Sequence, residues 1–319
     1  MLTTKIVAVI DVGSNSIKLL VAEPGRTAGS VETIFAETIE TRISAGISQA
    51  LPILTENAMN VGCKTITALV RLAQGYHPKS IQIVATSAVR DATNAIQFID
   101  RINEATGLEI KILTGTEEAT YVSKGLRCDP HICGVNSFIQ MDIGGGSLEL
   151  IRFHQGHIEH ALSLQLGAVR LTEQFIADRD AAIPTETETF IRNHVIAALR
   201  ASEFSFEPRS NPLIVTGGAF TITRAMLANE LNITIEEYSP ILNKKKISRL
   251  KSKLMSLTLH ERMAVPQLPA TRADIAPVAL ITMDTVLDYA KRDTATHSFY
   301  NLRYGIAAEL LTAESDISS

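Results

Sequence analysis

The apolar positions follow two rhythms along the chain. Short apolar runs bounded by small or turn-forming residues predict strands at 5–11 (KIVAVID), 17–23 (IKLLVAE), 81–86, 109–113, 137–142, 148–153, 159–164 and 213–216. Helical spacing predicts a long helix over 55–76, with Val61, Ile66, Leu69, Val70 and Leu72 on its apolar side and Pro78 closing it. Further helices are predicted over 88–105, stopped by Gly107, from near Ala168, over 186–203, after Gly217-Gly218, and over 277–290 and 301–313. In TGTEEATYVSKGL, Thr116 is the expected N-cap of a helix with Glu117 and Glu118 in its first turn. The stretch 246–262 is amphipathic and basic, and the turn-rich 204–212 reads as an internal loop. Alternation of strands and helices on this scale means an α/β fold.

An internal repeat refines that picture. When AVIDVGSNSIKLLV is written above IQMDIGGGSLELIR, Asp11 falls on Asp142, Gly13 on Gly144, Ser16 on Ser147 and Leu19 on Leu150. Each copy is a strand ending in Asp, a turn of small residues, and a second strand. The expectation is two related halves facing each other across a cleft.

The turns suggest a chemistry. Gly144-Gly145-Gly146-Ser147 lets backbone N–H groups converge on an anion with no Cβ in the way, and Gly13-Ser14-Asn15-Ser16 adds hydroxyl and amide donors. Asp11 and Asp142, each ending a strand, can hold Mg²⁺ directly or through water. Taken singly, either motif also reads as an ordinary hairpin; together they point to phosphate binding. Glu118 at a helix N-terminus suits a base that orients or deprotonates water, or is simply a stabilising first-turn acid. Arg90, after IQIVATSAV, is a candidate phosphate clamp or a surface arginine. The basic residues from Lys244 to Lys253 form either a solvated helix face or a positive rim for a polyanion. His154, His157 and His160 lie on a strand-turn-strand segment, are expected not to share one face, and are assigned no metal.

Composition sets outer limits. The 319 residues, 45% of them hydrophobic, provide for about two domains with buried cores, excluding disorder. A net charge of −4 is too balanced for a dedicated nucleic-acid wrapper. Three cysteines make neither a disulfide framework nor a zinc site. The first apolar run ends at Asp11, so neither a signal peptide nor a membrane span is expected there.

The segments AVIDVGSNSIKLLV, ATSAVRDATN, ILTGTEEA, DIGGGSLEL, LSLQLGAVRLTE and LIVTGGAFTIT stand in the order seen in the exopolyphosphatase/guanosine pentaphosphate phosphohydrolase family, which the chain resembles over roughly residues 5–310. DVGSNS and DIGGGS alone resemble only the wider actin, Hsp70 and sugar-kinase superfamily; ATSAVRDATN with TGTEEA is similar to this family in particular. The resemblance implies two duplicated ribonuclease-H-like domains, expected at 1–125 plus 301–319 and at 126–300. It implies Glu118 rather than Glu117 as catalytic base, with Arg90 at the cleft. Asp11, Gly13, Ser14, Asn15 and Ser16 fall on the first phosphate loop, and Gly144, Gly145, Gly146 and Ser147 on the second. Asp142 and Glu149, with Asp11, are the implied magnesium or water ligands. The implied reaction is Mg²⁺-assisted hydrolysis of a terminal phosphoanhydride.

Polyphosphate is the leading substrate, guanosine pentaphosphate its close rival. An ATP-dependent kinase and a non-catalytic binding regulator are the alternatives. The chain resembles a short form without the C-terminal HD-type domain of longer members. A homodimer and a cytoplasmic location, with no membrane or nucleic-acid partner, complete the expectation. Some positions depart from the family pattern: TRISAGIS keeps Arg42 but lacks Arg-Leu-Gly. Ala219 stands for Thr, Tyr304 for Glu, and Val278 for Gly.

Overall fold

The computed structural model describes residues 5–27, 29–43 and 52–313. Most of TRISAGIS lies outside them. In the first part of the chain, β1 (Val7–Val12) is flanked by antiparallel β2 (Ser16–Pro24), and β3 (Val31–Glu40) pairs antiparallel with β2. After α1 (Glu56–Gln74), β4 (Ser80–Ala85) lies parallel to β1 on its other side. Then follow α2 (Ser87–Arg90), α3 (Ala95–Thr106), β5 (Ile110–Ile112) parallel to β4, and α4 (Gly115–Leu126). The sheet order is β3-β2-β1-β4-β5. Ile10, Leu19, Ile66, Leu69, Phe98 and Ile102 are fully buried in the core of this part.

The second part repeats the plan. β6 (Phe138–Ile143), β7 (Leu148–His154) and β8 (His157–Leu164) form an antiparallel meander, followed by α5 (Ala168–Phe175) and α6 (Thr185–Ala201). β9 (Leu213–Thr216) runs parallel to β6. Beyond it come α7 (Gly218–Asn229), β10 (Ile241–Asn243), α8 (Lys244–Ser256), α9 (Leu259–Met263), a 3-10 turn (Ala270–Arg272), α10 (Ala276–Tyr289) and β11 (Thr294–His297), which is parallel to β9. The order β10-β11-β9-β6-β7-β8 contains the first sheet's order with one antiparallel edge strand, β10, added. Even the irregularities repeat: the β2–β3 ladder slips between Val21 and Ala22, and the β7–β8 ladder between Arg152 and Phe153. These are the same position of the repeat. Two ribonuclease-H-like halves account for the whole architecture.

The last helix, α11 (Leu302–Thr312), returns to the first unit. By contacts the chain divides into Met1–Val135 with Tyr300–Ser319, and Asn136–Phe299. The passage expected after residue 125 therefore falls ten residues later. The cause is local: the turn after α4 stays bonded to it, with Cys128 N–H donating to Gly125 O at 2.9 Å and Asp129 N–H to Leu126 O at 3.1 Å. α11 packs on α4 with no room for side chains at the crossing. A Cβ on Gly305 would overlap Tyr121 O, and one on Gly125 would overlap Asn301 O.

Five places differ from the sequence expectation. β3 is missed because it is an edge strand with one buried residue, so no continuous apolar run marks it. β10 and β11 are too short to be periodic. The helix expected over 88–105 breaks in two because the Asn94 side chain leaves it to bond both backbone groups of Leu54, at 2.9 and 2.8 Å. The amphipathic stretch 246–262 carries the end of one helix and the whole of another, since Thr258 opens a new capping box with Glu261.

Candidate active site

In each half the tip between the first two strands is closed by the same bond. Gly13 N–H donates to Ser16 O at 3.1 Å, and Gly144 N–H donates to Ser147 O at 2.9 Å. The carbonyls of the turns are turned toward protein. Asn15 O accepts from the N–H groups of Thr41 and Arg42, at 2.9 and 3.0 Å. Gly144 O accepts from Ala168, Gly145 O from Val169 and Arg170, and Gly146 O from Arg170 Nε at 3.0 Å. The N–H groups of Ser14, Asn15, Gly145 and Gly146 donate to no protein acceptor among the described residues. Carbonyls occupied and amides left over is the polarity an anion site needs. Gly167 makes the docking of α5 possible, since a Cβ there would overlap Gly145 O and Gly146 C. That explains the LGAVR segment, whose role the sequence alone did not reveal.

The second half also gathers its acids. Asp142 on β6 and Glu149 on β7 are direct cross-strand partners, so their side chains leave the same face of the sheet. A buried relay orients the first: Gln140 Nε2 donates to Thr216 Oγ1 at 3.0 Å, and Thr216 Oγ1 donates to Asp142 Oδ2 at 2.7 Å. Ser163 Oγ donates to Glu149 Oε1 at 3.0 Å. Gly217, at φ +93°, lies against the Asp142 carboxylate, which a Cβ would overlap. Gly218 lies in the same way against the guanidinium of Arg272. The GG dipeptide thus leaves room for the Asp142 carboxylate at one glycine and the Arg272 guanidinium at the next. Thr216, Gln140 and Arg272 were not singled out from the sequence; only the paired glycines hinted at a close approach.

No group of three His, Cys, Asp or Glu side chains gathers as a metal cage among the described residues. Two cross-strand carboxylates nonetheless fit Mg²⁺, which commonly takes one or two carboxylates and completes its shell with water and phosphate oxygens. Asp142 and Glu149 would hold it.

The first half carries the other chemistry. α4 is capped by Thr114, not Thr116: Glu117 N–H donates to Thr114 Oγ1 at 3.2 Å, and Thr114 N–H donates to Glu117 Oε2 at 3.0 Å. The box is set by the T-x-x-E spacing, which Thr116 lacks. Hydrogen bonds from the Thr114 backbone, then from Lys111 and the Thr114 hydroxyl, hold the Glu117 carboxyl down at about 2. Glu117 is consumed by its own helix. Glu118, one step round, meets Arg90, whose Nη1 donates to Glu118 Oε2 at 3.1 Å and to Leu113 O at 2.9 Å. Arg90 thus holds the candidate base. Beside the first turn, Ser14 Oγ and Ser87 Oγ are 3.1 Å apart, both buried. Asp11, also buried, has Lys18 as its cross-strand partner.

Other expectations resolve differently. The basic residues of α8 divide: Lys244 bonds Asp288, Lys246 Nζ donates to Tyr238 OH at 3.0 Å, Arg249 pairs with Glu230, and Lys251 bonds Glu188 and Asp284, while Lys245 and Lys253 are exposed. His154 and His157 are direct partners across the two-residue turn Gln155-Gly156, so these two do share a face; His160 instead pairs with Arg152 beyond the bulge. No helix among the described residues is long and apolar enough to cross a membrane.

Both halves follow one plan, a strand with an aspartate next to its end, an amide-rich turn and an antiparallel second strand. The sequence model of the Ppx/GppA phosphatase family matches residues 21–314, and the chain belongs to that family, whose members hydrolyse phosphoanhydride bonds. Among solved structures, an exopolyphosphatase from Cytophaga hutchinsonii is similar at a TM-score of 0.85 and 23% identity, over 97% of this chain and 98% of that one. The Ppx/GppA enzyme of Aquifex aeolicus is similar at 0.75 and 22%, over 96% and 99%. An exopolyphosphatase-like protein matches at 0.85 and 21%, over 97% and 99%. At these identities the likeness is one of fold.

Proposed function

We propose that the protein releases orthophosphate from the end of inorganic polyphosphate, with Glu118 as the base. The carrying observation is the Arg90–Glu118 pair at the start of α4, 3.1 Å apart, in the half whose first turn leaves its amides unspent. A carboxylate so held is aimed, ready to take a proton. The choice of the polymer over guanosine pentaphosphate rests on the exopolyphosphatase from Cytophaga hutchinsonii and its similar fold.

On this reading the turns offer phosphate oxygens their amides, those of Ser14 and Asn15 in one half and those of Gly145 and Gly146 in the other. Arg90 shares its N–H groups between Glu118 and a phosphate oxygen. Glu118 accepts a proton from water, the water oxygen bonds to the terminal phosphorus, and the bridging P–O bond breaks, leaving a chain one phosphate shorter. Asp142 and Glu149 would hold Mg²⁺, which supplies neutralisation of the charge building on the phosphate oxygens. Amide donors fixed by turn geometry need no reorganisation as that charge develops.

The test is orthophosphate release from long polyphosphate, short polyphosphate and guanosine pentaphosphate, with and without Mg²⁺, for the wild type and Glu118→Gln. The expected outcome is fastest turnover of polyphosphate, with kcat down about 10²–10⁴-fold in the variant and KM little changed. A variant at wild-type rate would remove Glu118 as base. Turnover of the nucleotide alone would move the substrate to guanosine pentaphosphate.

A further inference from the structure

The helix that follows β8 starts on the second turn itself. Gly167, its N-cap, has no side chain to satisfy the first N–H groups, and the carbonyls of the turn do so instead. Ala168 N–H donates to Gly144 O at 2.9 Å, and the N–H groups of Val169 and Arg170 donate to Gly145 O at 2.9 and 3.2 Å. The first amides of α5 are therefore engaged by protein and offer nothing to an anion. What α5 brings to the turn is a side chain. Arg170 Nε donates to Gly146 O at 3.0 Å, next to the amides of Gly145 and Gly146 that donate to no protein acceptor. A guanidinium is a rigid fork of several N–H donors. The one on Nε is engaged, and among the described residues those on Nη1 and Nη2 meet no acceptor. A pin for the Gly146 carbonyl alone would need one donor and no charge. The half-buried Arg170 carries more donors and a full charge, and its Nε bond holds it in place before any ligand arrives.

The first half is built the same way at this point. Asn15 O takes the N–H groups of two consecutive residues, Thr41 and Arg42, after β3, as Gly145 O takes those of Val169 and Arg170 after β8. In both halves the segment that leaves the third strand is bonded to the turn through a pair of amides, and the second of each pair belongs to an arginine.

We propose that Arg170 is a further substrate-binding residue, whose Nη1 and Nη2 donate to the phosphate oxygens received by the amides of Gly145 and Gly146. Bonds from a guanidinium to phosphate oxygens are charge-assisted and short, and the planar fork fixes the orientation of the group it holds. The inference rests on the phosphohydrolase reading for the identity of the anion, and goes beyond it in assigning a cationic side chain to the second turn.

Isothermal titration of the full chain with orthophosphate, beside the kinetics of polyphosphate hydrolysis, tests this. Arg170→Gln keeps a side-chain N–H for Gly146 O and removes the charge and the fork. It is expected to weaken orthophosphate binding and raise KM for polyphosphate about ten- to a hundredfold, the range of a hydrogen bond to a charged group, with the thermal melt unmoved. Arg170→Lys, which keeps the charge without the fork, should recover part of the loss. Arg200→Gln, at the exposed end of α6, removes the same charge from the same unit and should bind as the wild type does. Unchanged binding and KM in Arg170→Gln would overturn the proposal and leave the hydrolase reading standing. Equal losses in Arg170→Gln and Arg200→Gln would overturn it too, by pointing to a general field rather than a contact. A lowered melt and kcat with KM unchanged would make Arg170 a pin of the turn and nothing more. Orthophosphate binding that is lost in Arg170→Gln, in a protein whose wild type hydrolyses none of the substrates, would keep this inference and sink the hydrolase reading.

Discussion

Glu117 and Glu118 are neighbours in sequence and neighbours on one helical turn, and different partners give them different uses. The capping box with Thr114 takes Glu117, and Arg90 takes Glu118. Swapping these roles would require shifting the cap by one residue, which T-x-x-E does not allow. A similar economy governs Gly217. Its φ of +93° is open to glycine and strained for other residues, and it also gives Asp142 the space that a Cβ would fill. Gly217→Ala should therefore fold with a cost of about 1–3 kcal/mol and displace the carboxylate, dropping kcat about 100-fold. Steady-state kinetics beside a thermal melt check both halves of that statement; a variant that loses stability and keeps kcat would mean that Asp142 tolerates displacement.

At the level of elements, α8 shows how a sequence pattern misleads about charge. Its lysines suggest a solvated face, yet Lys251 is buried and bonds Asp284 Oδ2 at 2.7 Å and Glu188 Oε1 at 2.6 Å, while Arg192 reaches Asp284 from α6 at 3.1 Å. The ions tie three helices, α6, α8 and α10, around the back of the second core. Removing one partner from a buried pair leaves the other charge uncompensated, so Lys251→Met should cost about 3–5 kcal/mol. Exposed Lys253, two residues on, should cost under about 0.5 kcal/mol when changed to Ala. Urea titration of the two variants separates them, and equal midpoints would mean that the network contributes nothing.

The same contrast marks what was legible in the sequence. Strands of the duplicated turn were legible because β1 is buried on both faces and opens on the unbroken apolar run Val7–Ile10, and β6 keeps Phe138, Ile139, Met141 and Ile143 around Gln140 and Asp142. The two turns were legible because glycine and serine there answer to backbone geometry. Lys18 and Arg272 were not, because their meaning lies in cross-strand register and in a contact across fifty residues, neither of which any local window contains.

For the whole molecule, the two units should respond differently to mild acid. His297 is 2% exposed; its Nδ1 faces Arg224 Nη1 at 3.3 Å and its Nε2 faces Thr221 Oγ1 at 3.2 Å. Burial first, and then the charge of Arg224, push its pKa down to about 3 from the ordinary 6.5. A histidine kept neutral in the fold takes up a proton more readily once unfolded. Its contribution is therefore fully present above about pH 6.5 and is lost as the pH falls from there toward about 3. From about pH 7.5 to about pH 5 the second unit should lose about 2 kcal/mol through this group. In the first unit the most depressed carboxyl is Glu117, at about 2, whose contribution persists above its ordinary value of 4.5 and fades only below it. That unit gains no comparable acid sensitivity in the same window. Hydrogen exchange read peptide by peptide at the two pH values, after correction for the intrinsic rate, should show protection falling in 136–299 and holding in β1, β4 and α4. In His297→Asn the difference between the units should disappear. Equal loss in both units of the wild type would mean that the buried imidazole does not set the acid limit of this fold.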